Sequence, residues 1–429
     1  MDKIYIIGGE RLTGKTTASG SKNSAVAVMA AALTVSGKVI LHNVPRISDT
    51  QTMADILTSL GATSRWLGPN SIEIDATDLL WLEAPYDLVR KMRASFHVLA
   101  PLLVRSGRAR VPAPGGCNIG SRPVNFHIDS LKAFGATVHL EHGVYTAETD
   151  RLKGAKIYFD LQSPGATEHM MTAAVLAEGT TVMENCAFEP EVVDVANFLN
   201  AMGAKISGAG STTITIEGVT KLHGGEYRII PDRIEAGTFA IAAAITQGDV
   251  LIEGVMIDHM RPTIKKLTEA GITVDEGDHS IRVKSNGRSK GVDIKTMAFP
   301  GFATDLQQPF ASLLALSEGS SVITETIYEN RFGYVDELYR MGADIRVEGR
   351  MTLINGVEKL MGAQVAATDL RAGAAMLLAG LAAEDETEID NVIHIDRGYE
   401  DVVAKLKSLG AIISRGKEEM RRGLKVCSL

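Results

Sequence analysis

Apolar positions in this chain fall into two kinds of segment. Stretches such as Ala25 to Leu33 and Ala372 to Ala383, the latter 12 residues long, are small or apolar nearly all round, which predicts helices buried on every side. Short β-branched runs, such as Lys3 to Ile7, predict strands between them. The junctions recur. Helix-like segments close on a Gly followed by a small or apolar residue at Gly61, Gly135, Gly203, Gly271, Gly342 and Gly410, with spacings of 74, 68, 68, 71 and 68. A second series, Gly37, Gly107, Gly179, Gly248 and Gly319, is spaced by 70, 72, 69 and 71, and Asp385 takes the sixth place. Gly after the last apolar position of a helix is a C-cap signal, because it takes positive φ without a Cβ clash. Two parallel ladders predict six copies of an α/β unit of about 70 residues, each with two helices interleaved with strands.

A chain of 429 residues exceeds one ordinary core, so six units predict two domains of three. Hydrophobic residues make up 45%, charged residues 22%, and the mean hydropathy is +0.07, as in soluble globular proteins. A membrane-spanning helix needs roughly 20 apolar residues, and no run reaches that. The amino terminus lacks the apolar stretch of a signal peptide, which predicts a cytoplasmic protein. Cys117, Cys186 and Cys427 are too few and odd in number for a disulfide framework. A net charge of −8 disfavours nucleic acid as a partner. No HExxH or CxxC spacing occurs, so no metal site is expected.

Against that acidic background, any anionic ligand must meet local cations. Gly20-Ser-Lys22-Asn23-Ser24 precedes an apolar helix expected to begin near Ala25, with Asn23 or Ser24 as its N-cap. Free N–H groups beside an ammonium make an anion site, and a solvated Lys is the plain alternative. Pro112-Ala-Pro-Gly-Gly-Cys117-Asn-Ile-Gly-Ser-Arg122-Pro-Val-Asn-Phe-His127 puts a thiol on a Gly-rich loop five residues before a cation. Such a loop can fold over substrate, and the cation would lower the thiol pKa; a small Cys buried in a turn is the alternative. Thr304-Asp305 heads a helix, where Asp serves as an N-cap or, held within reach of a hydroxyl, as a general base. Gly9-Glu-Arg-Leu-Thr-Gly-Lys-Thr16 matches GxxxxGK[ST] and follows a strand, but Thr16 to Gly20 is β-prone and opens no helix. The segment reads as a hairpin turn.

The Cys117 loop closely resembles the lid of the enolpyruvyl transferase family, in its branch acting on UDP-N-acetylglucosamine, and the resemblance runs from about Ile4 to about Ser414. It implies a two-domain inside-out α/β barrel, with sheets outside and helices within. Residues 21–230 would form the domain carrying the Cys lid, 1–20 with 231–429 the second, and the active site would lie in the cleft between them. The implied reaction moves the enolpyruvyl group of phosphoenolpyruvate to the 3-hydroxyl of UDP-N-acetylglucosamine, with no cofactor. Cys117 would be the general acid, and the target of fosfomycin, and Asp305 the general base. Lys22, Asn23, Arg122, Arg331, Arg371 and Arg397 would bind phosphoenolpyruvate. The nucleotide sugar would contact Asn23, Arg93, Arg122, Pro123, Val124, Asn125, Phe126, Leu161, Gln162, Ser163, Pro164, Asp305 and Ile327. A lone Arg is ordinarily a surface salt bridge, but guanidinium groups suit carboxylate and phosphate, and the five sites match together.

Asn125 and Phe126 stand where the family usually shows Asp and Leu, and Leu161 where Lys is frequent, so backbone groups of 123–126 are expected to select the uracil. Two rivals remain: the shikimate-pathway transferase, which lacks the Cys lid, and a noncatalytic paralogue that binds the nucleotide sugar.

Overall fold

The computed structural model of the chain describes residues 2–115, 119–120 and 124–416. The described residues divide into two compact units: 20–115 with 124–230, and 2–19 with 119–120 and 231–416. Each unit carries three sheets.

The sheets share one pattern. In the second unit, Asp344–Glu348, Met351–Asn355 and Ser320–Thr324 pair antiparallel, and Ile294–Lys295 adds a parallel edge. Another sheet repeats this with Thr273–Glu276, Ser280–Lys284 and Asp249–Glu253, but its parallel edge is Thr13–Thr17. The third takes its middle antiparallel strand, Lys3–Ile7, from the start of the chain; this strand lies between Glu386–Asp390 and Ile412–Gly416. The stretch resembling a phosphate loop is therefore not a hairpin turn, because Lys3–Ile7 and Thr13–Thr17 complete different sheets. In the first unit the sheet of Arg108–Pro112, Val144–Glu148 and Thr137–Glu141 has only three strands, and the parallel edge shrinks to one bridge between Glu83 and Arg110.

All six glycines of the first ladder have positive φ, from 86° at Gly271 to 102° at Gly410. The second ladder is less regular. Gly37 lies inside the strand Val35–His42, three residues after the end of the short 3-10 turn Ala32–Thr34, so it does not cap a helix. At Gly248 the preceding Gln247 takes the positive φ of 52°, and Asp385 does so unaided at 67°. Gly248 is still required, since a Cβ there would lie 2.3 Å from the Leu12 carbonyl oxygen.

Helices form the core of each unit. In the second, Arg233–Ile245, Thr304–Ala315 and Leu370–Ala382 pack on one another, and every residue from Leu370 to Leu381 is buried. Each fully buried Leu or Ile contributes about 2 kcal/mol. The outer helix Ile257–Glu269 buries only Met260, Thr263, Ile264 and Leu267, the single stripe that 3.6-residue periodicity requires. Among the described residues no helix is long and apolar enough to cross a membrane.

Candidate active site

In the first unit, helix Lys22–Ala31 begins earlier than the apolar pattern suggests. Its N-cap is Ser21, whose hydroxyl accepts from the Ser24 N–H, so neither Asn23 nor Ser24 caps it. Apolar periodicity cannot see this first turn, whose residues are polar. Ser24 instead donates to Asp194, a buried carboxylate that also accepts from the Tyr227 hydroxyl at 2.5 Å and the Ile230 N–H at 3.3 Å. Asn23 is left exposed at the helix start. The Lys22 ammonium lies 3.0 Å from Asp49, which sits in the first turn of Ser48–Ser59, and both side chains are largely buried. Asp49 escaped sequence reasoning because it lies on another helix, in an unremarkable Ser-Asp-Thr.

Three segments of this unit carry the residues expected at the nucleotide sugar. Arg93 opens the 3-10 helix Arg93–Val98. Val124 is buried, while Asn125 and Phe126 begin helix Asn125–Ala133, with Asn125 exposed and Phe126 packed on the core. Ser163 caps Pro164–Ala174, its hydroxyl accepting from Ala166 N–H at 3.3 Å; Gln162 is half-buried and Leu161 is 67% exposed. Behind these segments sits a cluster that sequence reasoning missed. His127 and His169 face each other through Nδ1 at 2.9 Å, His169 Nε2 accepts the Ala100 N–H at 2.9 Å, and His97 stacks on His169. An open groove of about 950 Å³ beside Trp81 and Tyr86 contains none of the expected residues. Cys117, Arg122 and Pro123 lie outside the described residues.

The second unit brings three expected residues together. Asp305 is in the first turn of Thr304–Ala315 but does not cap it, since the N-cap position is Ala303. Its carboxylate bridges two guanidinium groups: Oδ1 accepts from Arg331 Nη2 at 2.8 Å, and Oδ2 from Arg371 Nη2 at 2.9 Å and Nε at 3.1 Å. The arginine side chains are 5% and 3% exposed, that of Asp305 23%. Burial alone would raise the Asp305 pKa, but Arg371 and Arg331 overcome it by charge and hydrogen bonding and hold it far below the carboxylate range.

Supporting residues fix this trio. Glu325, fully buried, accepts from the Thr304 hydroxyl at 2.7 Å, and Thr304 in turn accepts from Arg331 Nη1 at 3.0 Å. Glu325 also accepts the N–H groups of Ile327 and Tyr328, which sets the turn presenting the half-exposed Ile327. Asp369 caps Leu370–Ala382 through the N–H groups of Arg371 and Ala372. Arg331 and Arg371 lie over the rings of Tyr328 and Tyr399, each at 5.4 Å. Arg331 Nε, Arg371 Nη1 and Gln308 Oε1 are buried without a hydrogen-bond partner among the described residues. Arg397 ends the 3-10 helix Val392–Arg397 and is half-buried. Two buried guanidinium groups share the Asp305 carboxylate and keep spare donors, which are the groups that carboxylate and phosphate recognition uses.

The profile of the EPSP synthase (3-phosphoshikimate 1-carboxyvinyltransferase) family matches residues 6–406. The chain is 54% identical over 418 residues to UDP-N-acetylglucosamine 1-carboxyvinyltransferase 3 of Caldanaerobacter subterraneus subsp. tengcongensis, covering 97% of this chain and 100% of that one. It is 52% identical to UDP-N-acetylglucosamine 1-carboxyvinyltransferase 2 of Carboxydothermus hydrogenoformans, over 97% and 99%. Among solved structures, the enolpyruvyl transferase NikO from Streptomyces tendae superposes with a TM-score of 0.87 at 30% identity, covering 96% of this chain and 98% of that one. EPSP synthase from Acinetobacter baumannii gives 0.75 at 18%, over 97% and 100%, a likeness of fold.

Proposed function

This chain belongs to the EPSP synthase family of enolpyruvyl transferases, and from that membership we propose that it transfers the enolpyruvyl group of phosphoenolpyruvate to the 3-hydroxyl of UDP-N-acetylglucosamine, releasing phosphate. This is the first committed step of peptidoglycan synthesis. The relatives' names at 50–54% identity over nearly the full chain carry the choice of acceptor. The two-arginine clamp on Asp305 is the feature that carries the chemistry.

Asp305 takes the proton of the 3-hydroxyl as its oxygen attacks C2 of the enolpyruvyl group, and Cys117 delivers a proton to C3. The tetrahedral adduct then eliminates phosphate: the C2–O bond breaks, the C3 proton passes to the departing phosphate, and the enol ether forms. Lys22, Arg122, Arg331, Arg371 and Arg397 hold the carboxylate and phosphate, with Asn23 beside them. Arg93 and the segments 122–126 and 161–164, with Ile327, take the nucleotide sugar. The enzyme works in the cytoplasm, where a free thiol such as Cys117 stays reduced.

Phosphate release from phosphoenolpyruvate should depend on UDP-N-acetylglucosamine. Release that instead required shikimate 3-phosphate would favour the family's other branch. Nucleotide-sugar binding without any release would make the chain a binding protein.

A further inference from the structure

Asp305 as placed is a poor base, because two buried guanidinium groups pay for its negative charge with three hydrogen bonds. Resting on the function proposed above, we infer that the anionic donor substrate competes with Asp305 for Arg331 and Arg371, so that arrival of the anion is what frees the carboxylate to accept the acceptor's proton.

Three observations support this competition. Arg331 and Arg371 each reach Asp305 through one part of the guanidinium and keep Nε of the first and Nη1 of the second buried and unpartnered among the described residues. Both arginines are anchored independently of Asp305: Arg331 by Thr304 and the Tyr328 ring, Arg371 by its backbone N–H on Asp369 and the Tyr399 ring. They therefore stay in place when their charge is shared with another anion. Asp305 is the more exposed partner, 23% against 5% and 3%, so a substrate reaches the trio from its side.

Once a phosphate or carboxylate shares the arginines, protonation of Asp305 no longer wastes three charge-assisted bonds. The hydroxyl O–H bond then breaks as an Asp305 O–H bond forms, and the hydroxyl's electron pair goes to C2. Base strength appears only in the complex that can use it.

Coupling of this kind is reciprocal: the factor by which the anion loosens the clamp is the factor by which the clamp weakens the anion. Removing the charge of Asp305 must therefore tighten anion binding, and by more than relief of plain charge repulsion would, because two guanidinium groups are also released. Calorimetry on the full chain should find inorganic phosphate, and phosphoenolpyruvate in a Cys117→Ala background that prevents covalent capture, bound roughly ten-fold more tightly by Asp305→Asn. Asp249→Asn removes the same charge from an exposed pair with Arg282 and should change nothing. Equal or weaker anion binding by a folded Asp305→Asn protein would overturn the competition. Should that variant fail to fold, the parent decides: the acid limb of kcat should lie at higher pH than that of kcat/KM for phosphoenolpyruvate, and coincident limbs would refute the release. The kcat of Asp305→Asn is a separate reading. A variant with full kcat but tighter phosphate would remove the base role and keep the competition.

Discussion

A single sulfur separates the two halves of the proposed chemistry from ordinary cysteine behaviour. Cys186 is fully buried, and burial, only partly relieved by a backbone hydrogen bond at Ile214, pushes its thiol up to about 12. It behaves as a small apolar residue. If Cys117 is the acid of the reaction, fosfomycin, an epoxide analogue of phosphoenolpyruvate, should alkylate it alone. Peptide mass spectrometry on the folded protein should place the adduct on the Cys117 peptide, and labelling of Cys186 would sink the assignment. The candidate residues could be picked out because charged and polar types sit in short strings: Lys22-Asn23, Thr304-Asp305, Asp369-Leu-Arg371. The pairing of Asp305 with Arg371 could not, because 66 residues separate them and charge says nothing about which carboxylate an arginine will find. Asp49, Glu325 and the buried histidines were invisible for the same reason.

Elements were legible where one residue type has one conformational use. The first glycine ladder marks helix ends because positive φ follows the last turn, and all six positions obey it. The second ladder mixes two demands, positive φ and close backbone approach, which sequence alone cannot separate. Substitution at glycines outside that ladder, each showing one demand alone, separates them. A Cβ on Gly218 would lie 1.7 Å from the Ala177 carbonyl oxygen, with no flexible side chain to yield, whereas Gly342 has open space and only a φ of 92° to accommodate. Gly342→Ala should cost about 1 kcal/mol, as for a non-Gly residue held left-handed. Gly218→Ala must displace backbone and should cost several-fold more. Denaturant midpoints of the two variants check this, and equal losses would mean that the chain at Ala177 moves freely. Strand pairing was the least legible element property. The strands Lys3–Ile7 and Thr13–Thr17 look like one hairpin, yet each fills a vacancy left by a repeat more than 200 residues away, which no local pattern can encode.

Each unit keeps its own buried ionisable cluster, and acid should treat the two differently. In the second unit Asp305 is held far below its ordinary range, so its stabilisation is present above the unfolded value of 3.8 and is lost only in strong acid. In the first unit His127 and His169 are pushed well below 6.5, first by burial and then by neighbouring histidines, and His97 is pushed to about 4, by burial and then by Arg93. Their folded pKa values are depressed, so the neutral state they stabilise is complete above about 6.5 and erodes as pH falls below it. Glu168, 3.8 Å from His97, is raised by burial and then by Glu191, Glu189 and Asp194; it favours the fold at low pH and opposes the histidines. Asp194, also raised by burial, opposes them in the same sense as Glu168, so three imidazoles stand against two carboxyls, and the net slope near pH 6 is expected to follow the imidazoles. Hydrogen exchange at pH 7.5 and 5.5 should therefore show protection falling first in Arg93–Val98, Asn125–Ala133 and Pro164–Ala174, while Thr304–Ala315 and Leu370–Ala382 hold. His169→Asn, which keeps a polar group but cannot charge, should flatten the difference. Loss beginning in the Asp305 helices, or an unchanged slope in that variant, would show that the histidine cluster does not set the acid limit.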